Sequence, residues 1–346
     1  DRDASANTAI GHNALAALRA TGGGNYGGIQ NTAVGYEAGG SGVFGGGADG
    51  NGDDNTLLGY QAGKAITTAA DNSCIGSYAG LSLTSGGANT IIGHFAGYNA
   101  STAKQNVIIG DLTGGDSNTI VGKQAGFNAT TAKQNVIIGL DACGLGVLAN
   151  AASTQGMYNV VVGPQAGYDL TTGQANILVG KDAGANLTGG YSNVAIGLQT
   201  LATETNNVTY CTAIGSYALN LQNAAVKNTA IGGLAGATIS SGNYNTLVGY
   251  NAGNDTATTD WNTVMGHNAY ARGTGANNTV IGGGAGSSVG DSATAMSGDN
   301  NVCVGQLAGY TLTTGPGNTL IGKSAGQAMT TGDYNVAIGF EAAKVM

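Results

Sequence analysis

Asn89-Thr90-Ile91-Ile92-Gly93 is one copy of a five-residue phrase, Asn-Thr-x-Ile-Gly with close variants, that recurs from one end of the chain to the other. Its closing glycines are Gly11, Gly35, Gly59, Gly76, Gly93, Gly110, Gly122, Gly139, Gly163, Gly180, Gly197, Gly215, Gly232, Gly249, Gly266, Gly282, Gly305, Gly322 and Gly339, nineteen in all. The commonest step between them is 17 residues; steps of 23 or 24 end at Gly35, Gly59, Gly163 and Gly305, and a step of 12 ends at Gly122. A fixed period with loops added or removed is the mark of a linear repeat, in which each unit buries its apolar side only against its neighbours.

Aligned on the glycine, the repeat reads Asn-Thr-x-Ile-Gly-x-x-Ala-Gly-x-x-Leu-Thr-Thr-Gly-x-x, with a small or aliphatic third place. From Asn to Ile the residues alternate faces as a strand. The second and fourth places (Thr90 and Ile92, Thr246 and Val248) therefore share one side, and the first and third the other. Gly ends the strand. The Ala-Gly pair (Ala96-Gly97, Ala166-Gly167, Ala325-Gly326) offers a corner tolerant of positive φ, and Thr171-Thr172-Gly173 or Thr313-Thr314-Gly315 predicts a second short strand and a second corner. The expected fold is all-β: a parallel β-solenoid, or β-roll, of about nineteen coils of ~17 residues with two strands each, forming a single elongated domain over residues 1–346. At about 4.8 Å per coil such a rod would be about 90 Å long.

The Asn that opens the phrase (Asn55, Asn72, Asn89, Asn106, Asn176, Asn193, Asn245, Asn318, Asn335) would stack from coil to coil with its carboxamides bonded along the axis. Such a ladder holds register; glycan attachment or metal ligation by these residues is the alternative. Cys211 replaces the Asn once, which predicts a local gap. Third and fourth places are both apolar in nearly every copy (Ile91 and Ile92, Ile108 and Ile109, Val161 and Val162, Leu178 and Val179, Leu320 and Ile321). Because successive strand residues face opposite ways, one apolar stripe can line the coil while the other needs a cover. The simplest cover is the same stripe of a neighbouring copy, so a homo-oligomer, and for a fibre a trimer, is expected.

Composition agrees with thin layers rather than a spherical core. Of 346 residues 6% are aromatic, 9% are charged and 64 are glycine, and a continuous repeat argues against the two or three globular domains that the length alone would suggest. A net charge of −8 provides no basic surface for phosphates, which argues against nucleic acid and anionic membranes as partners. No apolar run approaches the roughly 20 residues of a membrane span, so no membrane insertion is expected, and no signal peptide is visible at Asp1. The chain does not start with Met, which suggests processing or a segment of a longer protein. Neither end reads as a cap, so the rod is expected to continue into further sequence or to stack head to tail.

Candidate chemistry is sparse. Cys74, Cys143, Cys211 and Cys303 have no metal-type spacing and read as small apolar fillers, with an intermolecular disulfide as the alternative. His12, His94 and His267 each follow the glycine; a trimer could gather three imidazoles around a metal, but Tyr, Lys, Ser and Gln take the same place elsewhere, so an exposed corner is the better reading and no metal is assigned. Tyr158, Tyr244, Trp261 and Tyr334 precede the Asn and would stack along a corner, and exposed ring faces are also what sugar rings pack against. The long loops at 16–30, 40–54, 145–157 and 287–299 are candidates for partner contact, with Tyr26 and Phe44 in the first two, or else are tolerated insertions. Scattered acids, no His-Ser-Asp grouping and glycine runs without a strand-loop-helix context argue against catalysis and cofactors. A Thr array could meet ice, but Val107, Val136, Val160 and Ile177 interrupt the second place, and an inward orientation of that face would exclude the idea.

The phrases Asn193-Val194-Ala195-Ile196-Gly197, Asn228-Thr229-Ala230-Ile231-Gly232 and Asn335-Val336-Ala337-Ile338-Gly339 resemble the repeats in the heads of trimeric autotransporter adhesins. The whole pattern, with its Gly-Tyr-x-Ala-Gly and Leu-Thr-Thr-Gly elements, is also similar to repeat arrays of bacteriophage tail fibres. Over about the whole chain the resemblance implies a trimeric, left-handed parallel β-roll, extracellular on a virion or cell surface, with attachment to a cell-surface glycan or host receptor. Autotransporter head repeats are shorter than 17 residues, and neither a coiled-coil stalk with an anchor nor a C-terminal chaperone domain is seen. The expected function is therefore an extracellular structural fibre, the shaft or receptor-binding part of a tail fibre or adhesin, with a self-assembling head-to-tail filament as the alternative.

Overall fold

The computed structural model of the chain describes residues 6–18, 28–41, 52–110, 116–127, 132–146, 156–203, 208–223, 226–287 and 296–344. It falls into two units, residues 1–174 and 175–346. The first carries nine strands, β1 (Thr8–Ile10) to β9 (Val160–Val162), and the second ten, β10 (Ile177–Val179) to β19 (Val336–Ile338). Each unit is a β-solenoid in which one three-residue strand per coil pairs in parallel with the strand of the next coil. Equivalent residues face each other: Thr229, Thr246, Thr263 and Thr279 lie in one unbroken register. No helix long and apolar enough to cross a membrane occurs among the described residues.

The expected second strand does not form. In the Thr-Thr-Gly segment a single carbonyl gathers several donors: Thr84 O accepts from the amides of Thr67, Thr68 and Ala69 at 2.9, 3.0 and 3.1 Å, and from Thr67 Oγ1 at 2.9 Å. Ser101 O receives Thr84 and Ser85 in the same way. Successive amides that converge on one oxygen cannot alternate donor and acceptor as a ladder does. This side of the coil is therefore bonded to its neighbour without being a strand, apart from isolated bridges such as Tyr191 with Thr209.

Three left-handed positions bend each coil. In the coil after Asn89 they are Ala88 (φ 58°), Phe95 (φ 57°) and Gly97 (φ 58°), and the strand-ending Gly93 adds a φ of 133° that L side chains rarely adopt. Close approach reinforces this requirement. A Cβ on Gly249 would lie 2.5 Å from Gly266 O of the next coil, so the glycine column is one place where backbones touch directly.

The core is a file of small and aliphatic side chains. In the coil of Asn89 the buried residues are Asn89, Ile91, Ala96, Ala100 and Ala103. Volume is exchanged within each layer. A large third-place residue reaches the glycine of the Ala-Gly pair: a Cβ on Gly253 would meet Leu247 Cδ2 at 2.7 Å. In two coils whose third place is only Ala (Ala195, Ala213), a buried Leu stands in that glycine's position (Leu201, Leu219) and keeps its left-handed backbone. Tyr270 applies the same device on a larger scale. It occupies the glycine position at φ 49°, fills the layer above Gly273, and its hydroxyl lies 2.9 Å from Gly275 N, Gly275 O and Asn278 Nδ2.

Candidate functional site

The Asn residues form buried columns in both units. Asn55 donates from its backbone N and its Nδ2 to Asn31 Oδ1 at 2.9 and 3.0 Å, and Asn72 repeats this on Asn55 at 3.1 and 3.0 Å. Asn89 and Asn106 continue the column. In the second unit Asn193 stands on Asn176, Asn245 on Asn228, Asn318 on Asn301 and Asn335 on Asn318. Most of these Nδ2 groups also reach across their own coil, as Asn55 Nδ2 does to Ala69 O at 2.9 Å and Asn245 Nδ2 to Thr259 O at 2.7 Å. The carboxamide thus closes each coil as well as linking coils, a double use that requires a planar group with one acceptor and two donors.

The gap expected at Cys211 is bridged. Cys211 N still donates to Asn193 Oδ1 at 3.0 Å, and buried Gln222 brings a second carboxamide into the column, giving Nε2 to Cys211 Sγ at 2.9 Å and accepting Asn228 Nδ2 at 3.5 Å. Gln222 stands where other coils carry Ile66, Leu83 or Leu170. Its mark in the sequence is a Gln seven residues after the strand-ending glycine in the one coil whose phrase opens without Asn.

All four cysteines are buried and none forms a disulfide. Burial pushes the thiols of Cys74, Cys143 and Cys303 up from 9.0 to about 12. An intermolecular disulfide would require a coil to open, and the filler reading accounts for their position. Because the folded-state pKa is raised, these thiols favour the fold fully below about pH 9, and that contribution is lost as pH rises towards 12. Thiol-exchange labelling at neutral pH should reach these three cysteines only after denaturant is added, and unfolding midpoints should fall between pH 9 and 11. Rapid labelling of the native protein at pH 7 would contradict the burial.

The second and fourth places point outward. Along the strands from β2 to β19 the third place is buried and its two neighbours are not, so the Thr or Val column and the Ile, Val or Met column form one exposed face. In the first unit Leu58 is 45% and Ile109 39% exposed; in the second, Ile231 is 40% and Met265 47% exposed. The inward orientation that would have ruled out ice contact is therefore not present.

Aromatic rings lie on two columns. Before the Asn, Tyr244 and Trp261 stack at 4.2 Å with planes 11° apart, Tyr158 is exposed, and Tyr334 lies over Gly317. The second column lies directly after the strand-ending glycine, at the corner where the sequence places His12, His94 and His267. There His12, Tyr36 and Tyr60 stack at 5.2 Å intervals, and Tyr250 stacks on His267 at 5.6 Å. His94 instead packs edge-on against Phe95 at 4.1 Å. No group of three His, Cys, Asp or Glu side chains that could hold a metal occurs among the described residues. Tyr26, Phe44 and most of the four long loops lie outside the described residues.

Within the second unit, a cavity of about 440 Å³ opens beside this column, lined by His267, Asn268, Arg272, Gly283, Gln306 and Tyr310 among others. No protein-family model matches the chain, and no curated protein is significantly similar to it in sequence.

Proposed function

We propose that the chain is a non-enzymatic extracellular fibre, three copies of which associate through the outward Thr/Val-x-Ile face into a left-handed β-roll that serves as shaft or receptor-binding part of a phage tail fibre or surface adhesin. The observation that carries this reading is the uncovered apolar column, one Ile, Val, Leu or Met per coil in each unit. A regular stripe of this kind is a surface that water disfavours along its whole length, and a copy of itself is the partner whose spacing matches coil for coil. The resemblance of the repeats to adhesin heads and tail-fibre arrays favours three copies and the extracellular setting.

Light scattering across a concentration series tests the reading. The native mass should hold near three times the 33.7 kDa of one chain, and Ile231→Asp with Met265→Glu should lower it to a single chain while the far-ultraviolet spectrum is kept. A mass that climbs without limit would favour the head-to-tail filament. A single-chain mass for the natural sequence would sink the trimer.

The outward face also supports a second reading. Thr212, Thr229, Thr246, Thr263 and Thr279 form an uninterrupted in-register column on an outward face, the arrangement an ice surface could meet. A monomer that shows thermal hysteresis, lost on Thr246→Lys, would move the assignment there; no hysteresis would remove it.

A further inference from the structure

The column behind the strand-ending glycine is filled in most coils: in the second unit it holds Lys181, Leu198, Ser216, Tyr250, His267, Gln306, Lys323 and Phe340, and it is empty only at Gly233 and Gly283. The two empty places are not equivalent. At Gly233 the ring of Tyr250 leans into the space, so an added Cβ would touch Tyr250 Cδ2 at 3.4 Å. At Gly283 the nearest atom to an added Cβ is His267 O, 4.0 Å away, and the backbone is not left-handed. Nothing in the fold requires glycine there. The following residue is also glycine, Gly284, so two adjacent side chains are missing from one coil, and the cavity of about 440 Å³ is the result.

The walls of this cavity define a ligand. With one face of His267 against Tyr250 (5.6 Å, 15°), its other face looks into the missing rung, and Gln306 stands one coil beyond. A slot one rung deep, between a ring and a carboxamide, accepts a single six-membered ring. The polar lining includes the carboxamides of Asn251, Asn268 and Gln306, the hydroxyls of Ser287 and Tyr310 and the guanidinium of Arg272. Asn268 is held in place, its Oδ1 accepting Asn251 Nδ2 at 2.9 Å, while Asn254 Nδ2 steadies Asn251 Oδ1 at 2.6 Å. Carboxamides that both give and accept hydrogen bonds suit vicinal hydroxyls, and a guanidinium suits a carboxylate. The volume lies within the range of about 300–1,000 Å³ usual for small-ligand sites.

We propose that this cavity is a binding site for one acidic pyranose unit of a glycan, its ring seated against His267 in the missing rung, its hydroxyls on Asn251, Asn268 and Gln306, and its carboxylate on Arg272. The proposal deepens the attachment reading and rests on it for the source of the sugar, while the site itself is complete within one chain.

Isothermal titration and saturation-transfer NMR of the intact protein with sodium glucuronate, and with glucose as the neutral probe, test it. Glucuronate should bind in the millimolar range and at least tenfold more tightly than glucose. Gly283→Tyr, which puts back the side chain that Tyr250 carries in its own coil, should fold normally, because the position is open and ordinary in backbone, and should weaken glucuronate binding at least tenfold. Arg272→Gln should bring glucuronate down to the affinity of glucose. Absence of glucuronate binding, or binding unchanged in Gly283→Tyr, overturns the site. Equal binding of both sugars, unaffected by Arg272→Gln, overturns the acidic assignment. Light scattering on the same samples keeps the two readings apart: a trimer without sugar binding discards the site alone, whereas sugar binding by a monomer discards the fibre.

Discussion

Gly249→Ala should lower the stability of the second unit by at least about 3 kcal/mol, whereas Gly233→Ala, one coil earlier, should change it by less than about 1 kcal/mol. Both replacements add one methyl group to a coil corner. At Gly249 the backbone has φ 135°, and the new Cβ would stand 2.5 Å from Gly266 O, a backbone atom that cannot move without displacing its own coil. Strain of about 1–3 kcal/mol for the backbone alone is joined by that clash. At Gly233 the backbone is ordinary and the nearest neighbour is a Tyr250 ring carbon at 3.4 Å, an ordinary contact. Urea midpoints followed by circular dichroism measure both. Equal effects from the two variants would show that close approach at the glycine column contributes little to stability.

Asn245→Leu is the second large effect, with an expected cost of about 3 kcal/mol. The side chain is buried, accepts Asn262 N at 3.0 Å on Oδ1, and gives Nδ2 to Asn228 Oδ1 at 3.2 Å and Thr259 O at 2.7 Å. Leucine has similar bulk but leaves the Asn262 amide and the Thr259 carbonyl without partners in a buried place, at about 1–3 kcal/mol each. Extra apolar burial can return only part of that, because the space is shaped for a flat carboxamide. Native-state hydrogen exchange should show the Asn262 amide losing protection first, since in a stack of nearest-neighbour layers the damage begins at the broken layer. Unchanged protection at Asn262 would mean that the ladder contributes little to coil stacking.

These two variants concern features that were legible as a motif and were completed by the structure. The Asn column follows from its recurrence, but the reach of each Nδ2 across its own coil does not, because it joins residues fourteen apart whose proximity depends on where the corners fall. The Thr-Thr-Gly segment looked like a strand because Thr favours extended backbone; convergence of several amides on one carbonyl overrode that preference. The Cys211 gap was inferred from one position, and Gln222 repaired it from eleven residues away. The cavity at Gly283-Gly284 was hidden for a related reason. Two glycines in a glycine-rich chain carry no signal of their own, and only the filled rungs on either side turn them into a space.

From the sequence alone came the period, the strand phrase with its alternating faces, the stacked Asn column and the presence of a second apolar stripe. All of these follow from residue type and spacing along the chain, which local stereochemistry converts directly into faces and corners. Tertiary structure decided which stripe is inside, how volume is exchanged between the third place and the Ala-Gly corner, and where a side chain is missing. Those outcomes depend on atoms brought together from different coils, and close packing selects among alternatives that the repeat by itself leaves equal.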